Sequence, residues 1–350
     1  MADEESEKVV LEGEKALALL REGKDAWNKW AEDNPGARVS FEGVEFGDEE
    51  ANFEGFVFLG EADFSGATFS GNATFYNATF SGDAKFSDAK FSEKATFREA
   101  TFSGYALFDQ ATFSRNAYFH NAEFSGDAWF RLVEFNKMAF FRDAVFKGKA
   151  NFSDGDFYSS VNFSNVMFVS VPDFCGTRIS AHFTFHGVNI NTQKHTDSED
   201  TDRLCRLKEL ASIAKDHVRE QDFFALELKA KRSHKSSSLL RYVADVIFIT
   251  LYQVLSNFGR SVTVPVFWLL GIWLSCGIYF ACLPCSDPVA GICKGLTTSA
   301  SLIFPFLGAS RASLKAGFAG SDAAVAFAEG GLGILFLFLI GLALRNRFRI

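Results

Sequence analysis

Residues 67–97 read ATFSGNATFYNATFSGDAKFSDAKFSEKATF, a stretch in which phenylalanine recurs at alternating steps of five and six residues. The register runs from Phe53 to Phe174 and fills 23 positions with Phe without exception, an 11-residue repeat. The residue two before each Phe is small in most units, from Ala62, Ala67, Ala73 and Ala78 onward to Ala150. Periodicity this strict is the mark of a stacked solenoid, in which each repeat buries its apolar face only against its neighbours.

The apolar Ala and Phe positions alternate with polar residues such as Thr74, Lys85 and Glu123, so adjacent side chains point to opposite faces, as in a strand. Ser-Gly, Asn-Ala and Gly-Asp steps between them supply tight turns and keep each strand short. A helix is disfavoured, because this spacing scatters the rings around a 3.6-residue cylinder. Phe64, Phe75, Phe86, Phe97, Phe108, Phe119 and Phe130 are the expected inward core.

Units such as FSGDAKFSDAK resemble the phenylalanine-rich branch of the pentapeptide-repeat family. The resemblance implies an all-β solenoid, a right-handed quadrilateral β-helix with Phe stacked inside and Ala packed beside it. Two units would make one coil, so the stretch 53–174 gives about 5.5 coils and a rod of roughly 26 Å at a strand spacing of ~4.8 Å. Val133, Gly155, Val161, Val166 and Pro172 replace Ala late in the array and suggest that the coil widens or ends there, with 175–191 finishing the rod. The string LREGKDAWNKW looks like the segment preceding many such arrays. Residues 9–30 are expected to form an amphipathic helix with Ala16, Leu20, Gly23, Trp27 and Trp30 on one face, plugging the first coil. Some soluble family members are thought to mimic DNA with an acidic rod. The surface here mixes acids and bases, and no nucleic-acid partner is expected.

The net charge of −8 is unevenly spread: acids dominate residues 1–50 and bases exceed acids after Phe174. That gradient suits a soluble N-terminal part and a membrane-facing C-terminal part. Residues 1–8 are acidic and no apolar run follows, so no signal peptide is expected. The polar linker NTQKHTDSEDTD (191–202) leads into a helical connector. Its acids are read as a helix start capped by Thr201 or Asp202 rather than as a cation site. From Arg203 to Arg232 the pattern suggests two helices or one bent helix, with Leu204, Leu207, Leu210 and Ala211 on one face.

VPVFWLLGIWLSCGIYFACL (264–283) carries no charge and is long enough to cross a ~30 Å hydrocarbon core. A second span is expected at 323–344, followed by Arg345, Arg347 and Arg349. Between them, 295–308 is uncharged but shorter and holds Pro305, which suits a re-entrant segment. Residues 239–257 carry Arg241, Asp245 and Gln253 and read as an interfacial helix, which with the Lys and Arg distribution places both termini in the cytoplasm at the inner (plasma) membrane. SNFGRSVTVPVFWLL and IGLALRNRFRI also resemble the membrane domain of a subset of pentapeptide-repeat proteins, with a layout like that of two-span ion channels. A TVGYG potassium filter is missing.

If a pore exists, Thr297, Thr298, Ser299 and Ser301 offer hydroxyls to its lining, and Phe304, Pro305 and Phe306 shape a constriction. The alternative is a lid packed on the two spans. Glu329 is a further pore-lining candidate, because an intramembrane carboxylate is costly and faces a bundle interior or water. Gly330 and Gly331 follow it and favour a helix that begins near Gly330, leaving Glu329 at the interface. Two helices cannot enclose a pore, so conduction requires a homo-oligomer.

Cys282, Cys285 and Cys293 cluster in the predicted extracytoplasmic loop, where a Cys285–Cys293 disulfide is permitted. His182 and His186 are read as structural filler. With no phosphate loop, nucleophile elbow or paired carboxylates, neither an enzyme nor a cofactor is expected. The expected organisation is a capping helix (1–40), a β-helix (41–190), a linker and connector (191–237) and a membrane domain (238–350). Three functions fit: an oligomeric, ion-channel-like pore with the rod as sensor or assembly platform, a membrane-tethered scaffold whose rod binds a protein partner, and a membrane-permeabilising defence effector.

Overall fold

The computed structural model describes residues 9–47, 51–180, 182–191, 199–233, 239–281, 288–303 and 321–347. It separates into two compact units, 1–233 and 234–350. In the first, four parallel sheets of seven strands each wrap into a β-solenoid. Partners on one sheet lie 22 residues apart, as in Ala84↔Ala106, Phe91↔Phe113, Ala95↔Ala117 and Phe102↔Phe124. Two 11-residue units therefore make one four-sided coil. The first coil carries one extra residue between Phe46 and Phe53, so Glu45 pairs with Thr68, 23 positions on.

The strands are two residues long because a turn follows each Phe. One turn type is closed by the amide of Ala78 donating to the Phe75 carbonyl, with Asn77 at φ 51°. A positive φ at the third turn residue is the type II arrangement. Asn, Asp or Gly fills most of these corners, since they enter the left-handed region at least cost. At a second corner Gly60, Gly82, Gly104, Gly126 and Gly148 stack in a column. A Cβ on Gly104 would lie 2.6 Å from the carbonyl carbon of Gly82. Successive backbones thus meet where only glycine fits.

Inside, the rings form four parallel columns. Phe64, Phe86, Phe108 and Phe130 follow one another at 4.8–4.9 Å, as do Phe75, Phe97 and Phe119 at 4.8–5.0 Å, all within 4° of parallel. Rings of neighbouring columns meet edge to face, Phe97 and Phe108 at 5.2 Å and 89°. The 22-residue coil copies the strand spacing into the ring spacing, and the crossed columns satisfy the aromatic quadrupole. Phe64, Phe75, Phe86, Phe97, Phe108, Phe119 and Phe130 are fully buried. Where Ala gives way to Val161 and Val166 the coil continues, with its last strand pair at Asn189–Ile190.

Both ends of the solenoid are closed. At the start, residues expected as one helix form strand β1 (Val10–Glu12) and helices α1 (Gly13–Glu22) and α2 (Lys24–Asp33). Gly23, at φ 91°, breaks the helix. β1 pairs with β2 (Arg38–Ser40), while Trp27 is fully buried on Phe41, Phe56 and Phe58. Asn28 acts as a substitute strand residue: its amide donates to the Gly55 carbonyl and accepts from the Val57 amide. At the far end α3 (Asp200–Ile213) and α4 (His217–Ser233) bury Leu204, Leu207, Leu210, Ala211 and Phe223 in the same core. Helix α3 begins one residue before the expected caps, with Glu199 at the N-cap and no side-chain cap bond. These helices are a lid on the last coil and not a free connector. Phe223 meets Phe185 edge to face at 5.5 Å.

The second unit consists of α5 (Leu239–Ser256), α6 (Thr263–Ala281), α7 (Pro288–Ile303) and α8 (Ser321–Arg347). Two segments are long and apolar enough to cross a membrane, Thr263–Ala281 with mean hydropathy 1.8 and Ala324–Arg345 with 2.2. Helix α7 begins seven residues before the expected re-entrant segment and ends at Ile303; Phe304, Pro305 and Phe306 lie outside the described residues.

Candidate functional site

Helices α6, α7 and α8 converge on one polar node. Packing of α6 on α7 is close because both contribute glycine: a Cβ on Gly295 would lie 2.4 Å from the Gly277 carbonyl oxygen. Near this contact the Trp273 indole Nε1 donates to the Leu296 carbonyl at 3.0 Å. The Ser299 hydroxyl lies 3.0 Å from the Trp273 carbonyl as donor, and it also hydrogen-bonds Glu329 Oε1 on α8. A hydroxyl has one proton, and a backbone carbonyl has none to give. Both contacts are satisfied together when the carboxyl supplies the second proton. Ser299 is fully buried and Glu329 is 1 % exposed.

The structure thus brings Ser299 and Glu329 together. Thr297 is exposed and Thr298 half-buried on the same helix. The side chain of Ser301, together with Phe304 and Phe306, lies outside the described residues, as do Cys285 and the Cys293 side chain of the expected disulfide. Glu329 does not precede a helix but lies within one. Helix α8 starts at Ser321 and runs unbroken through Gly330 and Gly331, and it admits α7 at Gly333, where a Cβ would sit 3.0 Å from Ile303 Cα. Glu329 Oε2 has no hydrogen-bond partner among the described residues.

Around this node the helices present apolar side chains outward. Phe267, Ile278, Phe327 and Phe338 are 62–86 % exposed. A surface of that kind suits lipid or a second copy of the chain far better than water.

In the first unit, polar chemistry serves the ends and faces of the solenoid. Arg206 donates through Nε to the Phe174 carbonyl at 3.3 Å and through Nη2 to the Thr177 carbonyl, and Arg219 reaches the Val188 carbonyl at 3.2 Å. These carbonyls belong to the last coil, and that of Phe174 also accepts from the Thr177 amide and hydroxyl. Glu227 is 4 % exposed and accepts from Lys208 of α3 and Lys231 of α4, each at 2.6 Å. Burial alone would raise its pKa, but those two bonds hold it below the usual glutamate value. At Cys175 burial, reinforced by Asp173, pushes the thiol up to about 12, which makes it unreactive. No group of His, Cys, Asp and Glu among the described residues could hold a metal ion.

Segments 41–90, 64–109, 86–134 and 97–145 match the family model of pentapeptide repeats (9 copies). The solenoid is a pentapeptide-repeat domain. No curated protein and no solved structure matches the chain. The parallel sheets of the solenoid extend past the matched residues at both ends, to the strand at Val10–Glu12 and to the last coil at Asn189–Ile190. Sequence reading missed its arginine lid, since Arg206 and Arg219 show no pattern of their own. The only available signal was the buried Leu204–Leu207–Leu210 stripe beside them.

Proposed function

We propose that the protein is an integral membrane protein whose C-terminal helices assemble, as a homo-oligomer in the bilayer, into an ion-channel-like pore, with the pentapeptide-repeat domain as cytoplasmic sensor or assembly platform. One observation carries the reading. Between two helices long enough to span lies the 16-residue α7, about 24 Å long and too short to cross, anchored through Ser299 to a buried carboxyl on the second span. Short helices held at membrane depth by their neighbours line pathways in membrane proteins, and intramembrane carboxyls mark them. The exposed aromatic belt of α6 and α8 supplies the surface for lipid and for neighbouring copies. Basic residues before α6 and at the end of α8 favour a cytoplasmic location for both termini.

The test is current across a planar bilayer containing purified, size-defined protein, beside Glu329→Gln and a chain truncated before Val264. Discrete currents that require the helices and change with Glu329→Gln support the pore. A silent bilayer with correctly inserted protein replaces it with a membrane-tethered scaffold whose rod binds a protein. Growth arrest on expression, together with conductance, points instead to a membrane-permeabilising effector.

A further inference from the structure

One face of the rod carries chemistry that its fold does not use. On the sheet containing Ala73–Thr74, Ala95–Thr96, Ala117–Tyr118 and Ala139–Phe140, the second residue of each strand points outward. Thr74 and Thr96 are short while Tyr118 and Phe140 are long and stacked at 5.1 Å. The step in size leaves a slot of about 490 Å³ floored by Thr74 and Thr96, walled by Tyr76 and Tyr118, and flanked by Lys94 and Arg98. Several other cations on the rod are paired, Lys85 with Glu61, Arg131 with Asp109 and Arg178 with Asp156. Lys94 and Arg98 have no acidic partner among the described residues. The Lys94 ammonium rests 5.5 Å from the centroid of Tyr118, and the nearby Glu99 accepts instead from the Tyr76 hydroxyl.

Thr96 supplies the second observation. It is 7 % exposed, and its hydroxyl has no hydrogen-bond partner. A buried hydroxyl left unpaired is costly, so a retained one points to a partner that comes from outside. One coil further on, His120 Nδ1 is likewise buried without a partner. Burial first, then the charges of Arg98 and Arg142, lower the His120 pKa against an opposing Asp143.

We propose that the Lys94–Thr96–Arg98 slot binds a small oxyanion of the phosphate class. A guanidinium fork and an ammonium lining one slot, with a threonine on its floor, match an acceptor with several oxygens. The tyrosine walls shield it on two sides. Glu54 also lines the slot and sets the size of the ligand's charge: one phosphate held between the two cations fits, and a polyanion filling the slot meets a carboxylate. The site is distinct from the membrane helices, and its failure leaves the pore reading untouched.

The test is titration calorimetry of the full-length protein in detergent micelles at low ionic strength, with inorganic phosphate and with phenyl phosphate as probes. Saturable binding is expected at one per chain, weakened at least tenfold by Arg98→Gln or Lys94→Gln and several-fold by Thr96→Val, with melting unchanged. Lys147→Gln, elsewhere on the rod, should leave it intact. Binding of both probes fits free phosphate as the source, and binding of phenyl phosphate alone fits a phosphorylated organic molecule. A second readout is the His120 imidazole followed by NMR, whose titration should move upward when phosphate neutralises Arg98, and not in Arg98→Gln. Absence of saturable binding of either probe, or equal loss in Lys147→Gln, overturns the proposal.

Discussion

Ser299 of α7 and Glu329 of α8, thirty residues apart, share a buried hydrogen bond, and Ser299 also reaches the Trp273 carbonyl of α6. Three helices are therefore tied by one hydroxyl. Ser299→Ala strands the Glu329 carboxyl and should cost the helical unit about 1–3 kcal/mol. Ser275→Ala removes a hydroxyl that bonds carbonyls of its own helix, and should change stability by less than about 0.5 kcal/mol. Unfolding in mixed micelles measures both, and equal losses would contradict the clasp.

Phe119 lies between Phe97 at 5.0 Å and Phe141 at 4.7 Å in one column of rings, with no exposed surface. Phe119→Ala should cost about 3–5 kcal/mol through lost contacts and a cavity that the stacked coils cannot close. Phe119→Asp or Phe97→Asp, burying an unpaired charge, should abolish the rod. Circular dichroism and melting read these effects, and wild-type curves for the Asp variants would rule out inward stacking.

The glycine column makes an independent prediction. Gly104→Ala brings a methyl group to 2.6–2.7 Å from the Gly82 backbone and the Asp83 carboxylate, so the coils must separate locally at a cost of about 1–3 kcal/mol. Gly47→Ala, with nothing within 4 Å of the new carbon, should leave the melting temperature nearly unchanged.

Acid should loosen the far end of the rod before its middle. The folded-state pKa of Glu227 lies below its ordinary value of 4.5. Its contribution is thus complete above that value and lost as pH falls through the lower folded one. Hydrogen exchange of α3 and α4 should accelerate over that window in the wild type. In Glu227→Gln the acid dependence should flatten while protection at neutral pH is already reduced. An unchanged pH profile in the variant would assign the loss to other carboxylates.

The repeat was legible because each Phe does the same job in every coil, so one physical requirement is written into the sequence 23 times. Alternation of Ala with polar residues gave the strands, and unbroken apolar runs gave the two long helices. What was not legible depends on single residues meeting across the fold. Gly23 lay on an amphipathic stripe that reads as one helix, yet its positive φ divides that stripe. Arg206 and Arg219 look like ordinary surface cations until the last coil presents carbonyls to them. The Gly330–Gly331 pair suggested a helix start near Gly330, whereas α8 begins at Ser321 and its glycine admits the backbone of α7 to close range nearby at Gly333. Local propensity and tertiary packing pointed in opposite directions there, and packing won.

Asn28 mimics a strand at one end, and the arginines occupy the carbonyls at the other. A stack of identical rungs has no intrinsic reason to stop, and two such stacks have every reason to join end to end. With groups on both terminal rungs held by the chain's own side chains, the rod becomes a ruler of fixed length, about 29 Å for seven rungs, whose ends are protected against axial joining. Copies crowded together on a membrane would then meet only through the flanks of their rods, where the side chains differ from rung to rung and contact can be selective.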